Sequence, residues 1–222
     1  MAKTLDLYLH DLEVHHHVDP RLTALIAHLA GTCKEISFKV SQGALAGVLG
    51  SAGSENVQGE TQKKLDIIAN DIMCRACTES GFVSGVASEE MDHALQIPED
   101  CEVGPYLVLF DPLDGSSNID INVSIGTIFS ILPAGEPHRD VKDEEFLQPG
   151  RKQLAAGYVI YGPQTQLVFT LGFGTTLFTL DLGTGNFYQT IEKLEIATQA
   201  KEFAINCSNM RHWEPPVQRY IT

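Results

Sequence analysis

The chain has 222 residues, with 29 acidic side chains against 15 basic ones and a formal net charge of −14. An apolar fraction of 43% excludes general disorder. The negative charge argues against a nonspecific nucleic-acid or anionic-membrane binder, which needs a basic surface. It leaves phosphate substrates open, because carboxylates hold the cations that in turn hold phosphates. No apolar run approaches the ~18 residues of a membrane span. The stretch from Met1 to Asp6 lacks the apolar core of a signal peptide, so a cytoplasmic protein is expected.

Residues 5–13 read as a short helix or an extended arm. Asp19 then offers an N-cap and Pro20 a first helical residue. Leu22, Leu25, Ile26, Leu29, Cys33, Ile36 and Val40 follow at spacings of three or four, which predicts a long amphipathic helix. A further helix is expected over roughly 41–49. Residues 50–60 are small and polar with three glycines, and read as a mobile loop leading into a helix over about 62–80 that stops at Gly81.

From there the pattern turns to short apolar or β-branched runs. Val83–Ser88, Tyr106–Phe110, Val123–Leu132, Leu154–Tyr161, Gln166–Leu171 and Thr176–Asp181 read as strands, and Phe187–Gln189 pairs back across a glycine-rich turn. Helices followed by a mostly antiparallel strand region predict an α+β layered domain. The five cysteines are odd in number and scattered, so a disulfide framework is not expected. Cys74 and Cys77 have the spacing of half a zinc site, but no second pair completes it, and they read as reduced thiols on a helix. The run His15–His17 reads as a solvated segment.

The residues suited to chemistry gather in three places. The run Leu107–Phe110 is a strong strand that delivers Asp111 at its end. Pro112 is expected to stop the ladder and force a turn, bringing Asp111 and Asp114 to one point. Gly115 permits close backbone approach, and Ser116, Ser117 and Asn118 supply hydroxyls, an amide and backbone N–H groups. Glu89 and Glu90 follow another strand. If they lie at its end, one faces a metal and the other points elsewhere. Glu60 and Asp66 flank the start of the helix after the small-residue loop. Several unpaired carboxylates in one place repel and call for cations. The chemistry this permits is metal-assisted phosphoryl transfer, with a carboxylate outside the metal shell accepting a proton from water.

The run DPLDGSSN at 111–118 resembles the metal motif of the lithium-sensitive, metal-dependent phosphatases, which include inositol monophosphatases. Its continuation through Ile131, the run from Val57 to Asp66, and the stretches 147–150 and 155–158 are similar to class I fructose-1,6-bisphosphatases in particular. The resemblance runs from about residue 20 to the end of the chain. It implies a layered αβ sandwich of the sugar-phosphatase type, with N-terminal helices on a mostly antiparallel sheet. The domain is expected over 1–198, and 199–222 would begin a second αβ domain that is missing or truncated.

The resemblance also implies roles. Glu89, Asp111 and Asp114, with the carbonyl of Leu113, would bind Mg²⁺ in a site of two or more ions, Mn²⁺ or Zn²⁺ serving as substitutes. Glu60 stands where the family often has a metal-binding aspartate, one methylene shorter. Asp66 and Glu90 would orient and deprotonate the attacking water. Asp114, Gly115, Ser116, Ser117 and Asn118 would meet the substrate near its 1-phosphate, and Asn206 its 6-phosphate. The family's nearby tyrosine corresponds to Asn209, so that contact would differ.

The activity implied is hydrolysis of D-fructose 1,6-bisphosphate to fructose 6-phosphate and phosphate, a step of gluconeogenesis or the Calvin cycle. No nucleic-acid or membrane partner is expected, and the full-length family member would be a homotetramer. Members inhibited by AMP carry a glycine-rich segment before the first long helix and a lysine before the tyrosine that precedes the metal-motif strand. Here those stretches read His17–Thr23 and Pro105–Tyr106, which predicts weak or missing AMP inhibition. Two alternatives stand beside this reading. One is an inactive or regulatory fragment of such an enzyme. The other is dual activity on fructose and sedoheptulose bisphosphates.

Overall fold

The structure, a computed structural model, describes residues 2–46, 50–55, 61–202, 204–205 and 207–221. Helix α1 spans Leu5–His16 and α2 spans Pro20–Gln42. The hydroxyl of Thr4 accepts from the Leu7 amide to cap α1, so the N-terminal residues form a helix and not an arm. The carboxylate of Asp19 accepts from the Arg21 amide at 2.8 Å, and Pro20 opens α2 as its sequence position predicts.

The helix expected over 41–49 does not form a separate element. Gly43, at φ +48°, ends α2, and a single 3₁₀ turn covers Gly43–Ala46. Residues 47–49 lie outside the described residues. Within the expected loop, strand β1 (Ser51–Glu55) pairs antiparallel with β2 (Thr61–Lys63), which leads into α3 (Lys64–Glu79), and residues 56–60 lie outside the described residues. Backbone ladder bonds fold this polar stretch without the alternating apolar pattern by which strands are read.

The remaining strands are β3 (Val83–Ser88), β4 (Leu95–Gln96), β5 (Tyr106–Asp114), β6 (Ile125–Pro133), β7 (Ala155–Tyr161), β8 (Thr165–Thr170), β9 (Thr175–Asp181) and β10 (Asn186–Ile191). They form one eight-stranded sheet in the order β10-β9-β8-β7-β6-β5-β3-β4. Every neighbouring pair is antiparallel except β3 and β5, which run parallel. The two-residue β4 was too short to leave a periodic signal in the sequence.

The three long helices contribute to one core on one face of the sheet. Leu25, Leu29, Cys33 and Ile36 of α2 and Leu65, Ala69, Met73 and Cys77 of α3 meet Val86, Val108, Ile131, Val159 and Leu167, all essentially without solvent contact. Leu5, Leu9 and Leu12 add the buried side of α1. Tyr8 of α1 stands edge-on to Phe169 and Phe178 at 5.9 and 5.3 Å. A smaller cluster, Leu107, Leu132, Val141 and Phe146, is covered by the connection between β6 and β7. All five cysteines are free thiols, with Cys33 and Cys77 fully buried. Burial pushes Cys33 and Cys74 up to about 11, so they remain protonated packing groups. Among the described residues, no helix is long and apolar enough to cross a membrane.

Candidate active site

The site is assembled where β3 ends beside β5. Their parallel register puts Ser88 beside Phe110. Glu89, just past the end of β3, and Asp111, within β5, therefore lie at the same level, tied by a 3.1 Å bond from the Glu89 amide to the Phe110 carbonyl. Parallel pairing between strands 23 residues apart is a tertiary outcome, invisible in either run alone.

Strand β5 does not end at Phe110 as its sequence suggests. It continues through Pro112 to Asp114. The register explains this. Asp111 pairs with Ile128 and Asp114 with Gly126, so β5 carries one extra residue against β6. That is a β-bulge, the place in a ladder where a residue without an N–H is tolerated. The Thr127 hydroxyl, fully buried, donates to the Pro112 carbonyl at 2.8 Å and holds the bulge. Asp111 accepts from the Leu113 amide at 3.0 Å, which curls the chain tightly between the two aspartates.

Gly115 then turns the backbone at φ +80°, a conformation suited to glycine, and opens a 3₁₀ turn over Ser116–Ile121. The Asn118 amide donates to the Gly115 carbonyl at 2.8 Å and closes it. Leu113 is buried, Gly115, Ser116 and Asn118 are half-buried, and Asp114 and Ser117 face solvent.

Helix α3 supplies the opposite wall. Asp66 lies in its first turn and is 2% exposed, a very low value for a carboxylate. Its Oδ2 accepts from the Lys63 amide at 2.7 Å, while Oδ1 is buried without a hydrogen-bond partner among the described residues. Burial, reinforced by the charge of Glu90, pushes Asp66 up to about 6, against the Lys63 amide and the Ser116 hydroxyl, which favour the ionised form. One turn later, Asn70 Oδ1 accepts from the Ser88 hydroxyl at 2.7 Å, and that hydroxyl oxygen accepts from the Glu90 amide at 3.2 Å. Asp66 and Asn70 are four residues apart and share a helix face. Asn70 is a site-supporting residue that sequence reasoning missed, although that spacing was available to find it.

Asp111 is pushed up to about 7, first by burial, then by its contact with the Glu89 carboxyl, and more weakly by Asp114. Two carboxylates so placed must share a proton or a cation. Their oxygens and the Leu113 carbonyl are hard donors, which fit a hard divalent ion. Among the described residues, no three His, Cys, Asp or Glu side chains close into a complete ion-holding group. Glu60 and Asn206 lie outside the described residues. Glu89 and Asp114 both act on the charge of Asp111, and Glu90 is near enough to Asp66 to act on its charge.

The model of the fructose-1,6-bisphosphatase N-terminal domain matches residues 7–192, nearly the whole span from α1 to the end of β10. A crystal structure of Leishmania major fructose-1,6-bisphosphatase in holo form is 31% identical, with a TM-score of 0.89 over 100% of this chain and 68% of that one. The same enzyme in apo form matches at 29% identity and a TM-score of 0.83, over 100% and 67% of the two chains. With α2, α3, the eight-stranded sheet and the Asp111–Asn118 run all lying inside the matched residues 7–192, the chain belongs to the fructose-1,6-bisphosphatase family.

Proposed function

We propose that the protein hydrolyses the 1-phosphate of D-fructose 1,6-bisphosphate, giving fructose 6-phosphate and inorganic phosphate. The observation that carries this reading is the meeting of Glu89, just past the end of β3, with Asp111 of β5, together with a buried Asp66 that has one oxygen without a hydrogen-bond partner among the described residues. Glu89, Asp111, Asp114 and the Leu113 carbonyl would hold Mg²⁺, with Glu60 as a further candidate ligand. Bound there, divalent ions supply charge neutralisation and Lewis acidity at the phosphate and at the attacking water.

The chain's own residues do the rest. Asp66 Oδ1 accepts a proton from the water, and Glu90 holds that water in line and tunes the affinity of Asp66 for the proton. The amides of Gly115 and Ser116 donate to phosphate oxygens as negative charge moves toward the leaving side, and the Ser117 hydroxyl assists. Asn118 keeps the turn closed. The water oxygen bonds to phosphorus, the bond from phosphorus to the C1 oxygen breaks, and the sugar oxygen takes a proton from solvent to end as a hydroxyl. Asn206 would meet the 6-phosphate. In this reading residues 1–198 form the catalytic αβ domain and 199–222 open a second unit.

The chain spans 68% of the Leishmania enzyme it matches, and a second reading is a binding or regulatory chain without turnover. Phosphate release from fructose 1,6-bisphosphate decides between them, measured with Mg²⁺ and with EDTA. Sedoheptulose 1,7-bisphosphate and inositol monophosphate are run in parallel. Mg²⁺-dependent release from the first substrate supports hydrolysis. Release from the sedoheptulose compound at a similar rate would establish dual activity. No release from either sugar bisphosphate sinks the catalytic reading.

A further inference from the structure

Asp120 and Lys63 belong to none of the roles assigned above, yet they join the two walls of the site. Lys63 is the residue before α3, and Asp120 lies in the 3₁₀ turn that follows Gly115. Lys63 Nζ donates to Asp120 Oδ2 at 2.8 Å, and its side chain is only 21% exposed. The other oxygen of Asp120 accepts from the Gly50 amide at 3.3 Å. Gly50 in turn accepts from the Lys64 amide at 3.1 Å. The main-chain amide of Lys63 is the donor to Asp66 Oδ2. One carboxylate therefore ties down both Gly50 and the start of α3, and the same lysine that it grips also orients Asp66.

We infer that Lys63 and Asp120 are positioning residues that fix Asp66 against the Gly115–Ser117 turn through the Nζ–Oδ2 ion pair. The inference rests on the proposed hydrolysis for its kinetic consequence, but its structural content stands apart from it. An exposed ion pair adds little to stability. This one joins segments more than fifty residues apart in sequence, so its effect lies in geometry. A small displacement of a proton acceptor from its water is costly in rate and almost free in binding. Lys63 also sits beside the 3₁₀ turn as a cation, but its ammonium is engaged by Asp120, which reserves it for holding the wall.

The test uses the full chain with Asp120→Asn, Lys63→Met, the double variant and Asp120→Glu. In steady-state assays on fructose 1,6-bisphosphate, each single variant loses about tenfold or more in kcat with KM held within about twofold. The double variant is no worse than the more impaired single variant, because both break one link. Asp120→Glu recovers most of the rate, since it keeps the charge. Amide hydrogen exchange of residues 61–69 rises in Asp120→Asn and in Lys63→Met, with the rest of the sheet unchanged. Wild-type kcat in Asp120→Asn, additive losses in the double variant, or unaltered exchange over 61–69 would each overturn the inference. A wild-type protein inactive on the bisphosphate refutes the hydrolysis reading alone, and the exchange measurement then decides the positioning.

Discussion

Asp66 sits in an unusual setting: buried at 2% exposure, one oxygen bonded to the Lys63 amide and the other unpaired among the described residues. An unsatisfied buried acceptor costs stability, so it is retained where something else uses it. If that use is taking a proton from water, Asp66→Asn lowers kcat by about 10²–10⁴-fold with little change in KM. Glu90→Gln does so to a similar extent, and phosphate-release kinetics on folded variants check both. The Glu89–Asp111 pair leads to a second expectation at this scale. Neutralising one member relieves repulsion, so Asp111→Asn melts at a higher temperature than the wild type in EDTA at neutral pH. Added Mg²⁺ raises the melting temperature of the wild type, because it binds the folded state, and leaves that of Asp111→Asn nearly unmoved. Calorimetry with and without Mg²⁺ reads this directly, and a higher melting temperature for the wild type in EDTA would refute it.

The start of α2 depends on one side chain. Asp19 caps the helix through the Arg21 amide and pairs with the Arg21 guanidinium at 2.6 Å. Its hydrogen bonds to Arg21 hold it down at about 2. The folded-state value lies below the unfolded one, so the contribution is present above the ordinary carboxylate range. It is lost as pH falls from about 4 toward 2. Asp19→Ala costs about 1 kcal/mol of stability at neutral pH, and this difference disappears in denaturant titrations carried down to acid. Inside the sheet, Gly157 of β7 is held by space and not by backbone angle. A Cβ there would lie 2.7 Å from the Phe129 ring, the Phe169 Cβ and the Val168 carbonyl. Gly157→Ala therefore destabilises by about 1–3 kcal/mol through overpacking, measured as a lower denaturation midpoint with an unchanged slope.

Across the whole molecule, the corner between α1 and α2 meets the start of β5. There the Asp19 carboxylate reaches both Arg21 and the Tyr106 hydroxyl. An acidic group in that corner opposes a phosphate, and the bond from Arg21 to Asp19 engages the nearby cation. Titration with AMP is accordingly expected to leave activity on fructose 1,6-bisphosphate essentially unchanged, and inhibition at micromolar AMP would refute this. Long periodic segments were legible from residues alone: α2, α3 and most of the sheet strands appear where spacing and β-branched runs placed them. The residues of the candidate site were legible as types, since turn formers and carboxylates that follow apolar strands are local features of the chain. Short or polar elements were not legible. β4 has two residues, and β1 and β2 owe their order to backbone pairing, which leaves no pattern in side-chain type. The sequence by itself therefore determined the α+β class, the carboxylates and the turn at Gly115, because each depends on neighbours within a few residues. Only the tertiary structure decided that β3 runs parallel to β5, that Pro112 sits in a bulge and that Lys63 reaches Asp120. Those outcomes depend on which distant surfaces exclude water together, and no local spacing encodes that.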